Sequence, residues 1–74
     1  MQKDTVQLKP NAEYIELMKL LKFHQIAQTG GHAKILIEDG EIYVNGEIEY
    51  RKRRKLRVDD VVRFEDIEVK IVEA

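Results

Sequence analysis

Thr29-Gly30-Gly31-His32-Ala33-Lys34-Ile35-Leu36-Ile37-Glu38-Asp39-Gly40 reads as a helix with both of its ends marked. Thr29 is an N-cap residue, whose hydroxyl accepts from a backbone N–H that the first turn leaves free. Ala33, Leu36 and Ile37 recur at helical spacing, and Gly40 suits the position just past a helix end. Gly30, Gly31 and Lys34 share the N-terminal face of this helix, where unpaired N–H groups and the positive end of the macrodipole favour an anion. Two glycines there put no side chain between the backbone and a phosphodiester, although each costs about 1 kcal/mol in helix propensity. The tip therefore reads as a phosphate cradle to which Lys34 adds a formal charge. A tight interhelical turn that needs positive φ is the other account of the glycine pair.

A second stretch, Arg51-Lys52-Arg53-Arg54-Lys55-Leu56-Arg57, complements the first. The chain carries 13 basic and 14 acidic residues, a net charge of −1, which as a total speaks against a nucleic-acid partner. The distribution outweighs the total, because six of the 13 basic residues fall in these seven positions while the acids are scattered. A local positive stripe of that kind suits one RNA or DNA feature and not indiscriminate coating of a duplex.

At 74 residues the chain is expected to form one domain, 1–74, with a core near the lower limit for independent folding. It has no cysteine, so no disulfide framework or thiolate metal site braces it. The opening residues carry Asp4 and no long apolar run, so neither a signal peptide nor a membrane span is expected, and the reading is of a cytoplasmic monomer.

Working outward, Asp4 to Leu8 alternate, with Val6 and Leu8 on one side, and predict a short edge strand ended by Pro10. Asn11 is the expected N-cap of a first helix from about Ala12 to Lys22, because Tyr14, Leu17, Met18 and Leu21 fall at i, i+3, i+4 and i+7, with Ile15 and Leu20 widening the stripe. Phe23 and Ile26 lie in the short link to the second helix. After Gly40 the period becomes two, and Asn45-Gly46 is a hairpin signal. A two-residue turn would set Ile42 opposite Glu49, mixing apolar and acidic side chains on one face. The expectation is therefore a three-residue loop or bulge that sets Val44 beside Ile48 and Ile42 beside a buried Tyr50, with stacking of Tyr43 or Tyr50 on an unpaired base as the other account of these rings. A last hairpin turning at Glu65-Asp66 puts Val62, Phe64, Ile67, Val69 and Ile71 on one face and Arg63 across from Glu68. The fold class is α+β, two helices packed on one side of a small, mostly antiparallel sheet.

The helix that opens on a small-residue cluster and Ala33-Lys34, then Gly40-Glu41-Ile42-Tyr43-Val44-Asn45-Gly46, then a basic crossing into Leu56-Arg57-Val58-Asp59-Asp60-Val61-Val62, resembles the S4 RNA-binding domain. It is most similar to the small stand-alone S4-like proteins of the YaaA and YbcJ type, over about residues 13 to 72. The resemblance implies the S4-like αL motif and an RNA-binding surface built from the start of the second helix and the basic loop. It nominates Gly30, Gly31, Lys34, Arg51, Lys52, Arg53, Arg54 and Lys55, while Asn45 and Gly46 match the structural turn. Two departures stand out: many S4 domains have Ser-Arg where this chain has Gly30 and Gly31, and Gly-Asp where it has Asp59-Asp60.

Neither a cofactor nor a metal is expected, since two histidines eight apart make a weak zinc signal. His32 reads as a neutral surface or capping side chain and His24 as a partly packed linker residue. No serine or cysteine is present, and Thr5 and Thr29 lack an evident base, so no enzyme is expected. The function that follows is a non-catalytic module for structured, ribosomal or tRNA-like RNA, held through phosphates. The competing account is a protein-interaction adaptor whose basic loop docks on an acidic partner. DNA binding is disfavoured by the absence of a long recognition helix rich in Arg, Asn or Gln.

Overall fold

Among the described residues, pairing the apolar alternations produces seven strands around two helices. In the computed structural model, which describes residues 1–73, β1 (Gln2–Gln7) is followed by a short β2 (Ile15–Glu16) that runs directly into α1 (Leu17–Phe23). Then come α2 (Gly30–Glu38), β3 (Tyr43–Val44), β4 (Glu47–Ile48), β5 (Lys55–Leu56), β6 (Val61–Phe64) and β7 (Ile67–Val72). Five strands form one sheet in the order β1-β7-β6-β3-β4, and β2 pairs with β5 apart from it. The last hairpin has the expected register, Arg63 opposite Glu68 and Val62 opposite Val69. The sheet is mostly antiparallel; the exception is edge strand β1, which lies parallel to β7 with Val6 beside Ile71.

Both helices bury their apolar stripes against this sheet. Leu17, Leu20 and Leu21 of α1 and Ala33, Leu36 and Ile37 of α2 join Ile42, Val44, Leu56, Val62, Val69 and Ile71 in one buried cluster. Helix α2 begins and ends as its sequence specifies: Thr29 Oγ1 accepts from His32 N–H at 3.0 Å, and Gly40 takes φ +75°. His32 Nδ1 in turn accepts from Gln28 N–H at 3.3 Å, so this histidine is a capping group. His24, at the end of α1, ties the helix to β1 through a 3.0 Å contact with Asp4, and this hydrogen bond holds the Asp4 carboxyl below its usual range.

Three expectations are corrected. The first helix starts at Leu17 and not near Ala12, with Glu16 in place of Asn11 as its N-cap. Ile15 and Glu16 are drawn into a ladder with Leu56 and Lys55, because the edge of β5 supplies backbone partners that a longer helix would leave unpaired. The Asn45-Gly46 hairpin is a plain two-residue turn with both residues at positive φ, 52° and 86°, pairing Val44 with Glu47 and Tyr43 with Ile48. Glu49 N–H then donates to Ile42 O at 2.9 Å, the mixed register that the alternation argued against. In consequence Glu49 is buried and Tyr50 is 62% exposed.

The Asn45 turn is fastened to the turn before β6. Its side-chain amide donates to Asp60 Oδ1 at 3.0 Å and accepts from Val61 N–H at 2.9 Å, while Asp60 Oδ2 accepts from Arg57 N–H at 2.8 Å. Asp59 in this second turn takes φ +77°, the left-handed region where glycine is free of strain. Asn45→Ala removes two hydrogen bonds and puts a side chain poorly suited to φ +52° in their place. It is expected to cost about 1 kcal/mol, seen as a thermal midpoint lower by roughly 5 °C.

Candidate nucleic-acid interface

Six like charges within seven residues repel one another, so the local fold must either neutralise or separate them. It does both. The backbone turns sharply between Arg51 and Arg54, closed by Arg54 N–H donating to Arg51 O at 3.1 Å, with Lys52 and Arg53 exposed at the corner. Glu49 fills the inside of this turn. Its carboxylate accepts from Arg51 N–H at 3.1 Å, from Arg51 Nε at 3.0 Å and Nη2 at 3.1 Å, and from Arg54 Nη1 at 2.7 Å. The Arg51 hydrogen bonds are the main reason its carboxyl drops from an ordinary 4.5 to about 2, against the opposing effect of burial. The turn is also pinned to α1, whose first N–H groups, at Leu17 and Met18, donate to Arg54 O at 2.9 Å and Lys52 O at 3.0 Å. These carbonyls do for α1 what a capping side chain does for α2.

The basic run is thereby sorted. Arg51 and Arg54 are structural cations, committed to Glu49. Lys52, Arg53, Lys55 and Arg57 have no carboxylate partner among the described residues. Lys55 Nζ lies 4.9 Å and Arg57 Cζ 5.8 Å from the centre of the Tyr14 ring, two cation–π contacts that hold Tyr14 beside the run.

Glu38, Tyr50 and residues 51–55 line an open concavity of about 750 Å³. Five of the nominated residues, Arg51, Lys52, Arg53, Arg54 and Lys55, therefore meet on one surface. Lys34 stands beside it, 3.8 Å from Glu38 one turn along α2. Gly30 and Gly31 do not line it: they lie at the other end of nine-residue α2, roughly 12 Å away at 1.5 Å per residue. Neither glycine has positive φ, and an added Cβ meets nothing within 4 Å at Gly30 and only Thr29 Oγ1, at 3.8 Å, at Gly31. The tight-turn account of the pair is therefore excluded, and nothing within the described residues requires either position to be bare.

Sequence reasoning missed Glu49, Glu38 and Tyr14. For Glu49 there was a signal, its spacing of two and five from Arg51 and Arg54. Glu38 and Tyr14 join the site only through packing. No group of three or more potential metal ligands occurs among the described residues.

Known proteins share this sequence pattern and fold. Over 59 residues the chain is 37% identical to the "Putative RNA-binding protein YbcJ" of Escherichia coli (strain K12), covering 80% of this chain and 84% of that one. It is 42% identical over 55 residues to the "Probable ribosome maturation protein RlbA" of Bacillus subtilis (strain 168), covering 74% and 78% respectively. The solution structure of E. coli YbcJ, described as revealing an αL motif involved in RNA-binding, aligns with a TM-score of 0.64 and 33% identity over 97% of this chain and 87% of that one. Residues 6–72, which hold the helix pair, the Asn-Gly hairpin and the anchored basic turn, match the model of the S4 domain, and the chain belongs to that family.

Proposed function

We propose that this protein is a non-catalytic module that binds structured RNA chiefly through its phosphates, acting as a single chain in the cytoplasm. The observation that carries this reading is the anchored turn, in which Glu49 holds Arg51 and Arg54 so that Lys52 and Arg53 stand exposed with no internal counter-charge. A preformed pair of cations meets a phosphate backbone without first paying to order the loop. Lys55 and Lys34 extend the positive surface. The bare tip of α2 offers a second phosphate contact, since the Gly30 and Gly31 N–H groups have no partner among the described residues. The name of the Bacillus subtilis relative, a probable ribosome maturation protein, supports ribosomal RNA, or an assembling ribosomal particle, as the target.

Titration of a ribosomal RNA fragment with the native protein and with Gly30→Ala/Gly31→Ala, at several salt concentrations, tests the reading. Native affinity should fall steeply as salt rises. The double variant should gain stability, about 1 kcal/mol in total because both positions lie in the first turn of α2, where the interior helix cost of glycine is only partly felt, while losing affinity. A stabilised variant with native affinity would take the helix tip out of the interface. Affinity that is absent or insensitive to salt would refute the reading as a whole. Binding to a protein partner that survives nuclease treatment would favour the adaptor instead.

A further inference from the structure

Glu38 is out of place on a surface for phosphates. It is the one carboxylate among the described residues lining the concavity, on a wall otherwise made of Tyr50 and five cations. There it repels a phosphodiester, so it suits a part of the ligand that is not phosphate. Its side chain is 58% exposed, and its ion-pair partner Lys34, at 3.8 Å and itself half exposed, is too distant for a charge-assisted hydrogen bond. Among the described residues neither carboxylate oxygen accepts a hydrogen bond, and only Oε1 faces Lys34. Tyr50, on the same concavity, presents an aromatic ring braced against Gly40, where a Cβ would come within 3.3 Å of the tyrosine hydroxyl oxygen. An exposed aromatic ring held at its hydroxyl end beside cations is a stacking platform for an unpaired base.

We propose that the concavity takes one unpaired guanine of the bound RNA, stacked on Tyr50 with its Watson–Crick edge on Glu38, while the flanking phosphates run along Lys52 and Arg53. This rests on the RNA-binding reading above and adds base selectivity to it. The selectivity follows from donor geometry. Guanine alone presents two adjacent donors, N1–H and N2–H, to match the two oxygens of a carboxylate. Adenine and cytosine set one amino donor beside a ring-nitrogen acceptor, and uracil sets N3–H between two carbonyls, so each turns an acceptor toward Glu38. In a duplex that edge is occupied, which restricts the site to a loop or bulge.

The test uses fluorescence anisotropy with stem–loop RNAs whose uridine loop carries guanine, adenine, cytosine or inosine at its centre, or uridine throughout. The guanine RNA is expected to bind about tenfold more tightly than the adenine, cytosine and uridine RNAs. Inosine, which lacks the N2 amino group, should fall between. Glu38→Gln should abolish the preference without weakening the other three, and Tyr50→Leu should weaken the guanine RNA by about tenfold. Tyr50 is exposed, so circular dichroism should report this variant as folded. If Glu38→Gln raises affinity for all five RNAs equally, Glu38 is only a repelling charge and the proposal fails. Equal affinity of the native protein for all five, still steeply dependent on salt, would overturn the guanine site and leave phosphate binding standing. Binding to none of the five would overturn both.

Discussion

Glu49→Ala is expected to destabilise the fold by about 2 kcal/mol at neutral pH and to loosen the basic turn before anything else unfolds. A carboxyl held at about 2 in place of 4.5 corresponds to about 3 kcal/mol above both values. The Arg51 side chain is 72% exposed, so solvent screens part of this and the expectation is reduced accordingly. The sign follows from the direction of the shift. Because the folded-state value is depressed, the stabilisation is complete above about pH 4.5 and is lost as the pH falls toward 2. Urea unfolding of the native protein and Glu49→Gln at pH 7, 4 and 2 should therefore show a difference that shrinks toward zero at the acid end. A difference independent of pH would mean that the carboxylate's charge contributes nothing. The loosening has its own readout. The Leu17 and Met18 amides donate into the turn, so their hydrogen exchange should accelerate in Glu49→Ala more than that of the buried strands.

Lys52→Ala/Arg53→Ala is expected to weaken RNA binding about thirtyfold with the fold unchanged. Both side chains are exposed and neither pairs with a carboxylate among the described residues, so their removal costs the free protein little. Each lost phosphate contact is assigned about 1 kcal/mol net, which sets the thirtyfold. It should also lower the slope of log affinity against log salt by about 1.5 for the pair. The control is Arg51→Ala/Arg54→Ala, which leaves Glu49 buried without its guanidinium partners and with only the Arg51 backbone N–H. That variant should lose stability as well as affinity, in contrast to the corner pair. Native affinity in Lys52→Ala/Arg53→Ala would place the RNA elsewhere on the surface. Equal loss of stability in the two double variants would contradict the sorting of the run into anchored and free cations.

Local pattern accounts for the limits of helix α2, the last hairpin and the apolar face of β6 and β7. In each case the deciding interactions lie within a few residues: the Thr29 hydroxyl reaches His32, and Arg63 faces Glu68 across a two-residue turn. Residues 51–57 could likewise be recognised as a positive stripe, because charge density is a property of composition. The family resemblance was also readable, since it rests on ordered short motifs.

What the chain order could not decide were outcomes set by partners far away in sequence. The period-3.6 stripe from Tyr14 to Leu21 is satisfied either by a long helix or by a strand feeding a shorter one, and the edge of β5 forty residues on selects the second. The Asn45-Gly46 register looked wrong because it buries an acid. It is right because Arg51 and Arg54 come back to neutralise Glu49, and that same folding exposes Tyr50 and separates anchored cations from free ones. The sequence by itself thus determined the fold class and the presence of a basic run. Only the tertiary structure decided which of its charges face a ligand and that Glu38 stands among them, because the energy of a charge depends on its neighbours in space and not on its neighbours in the chain.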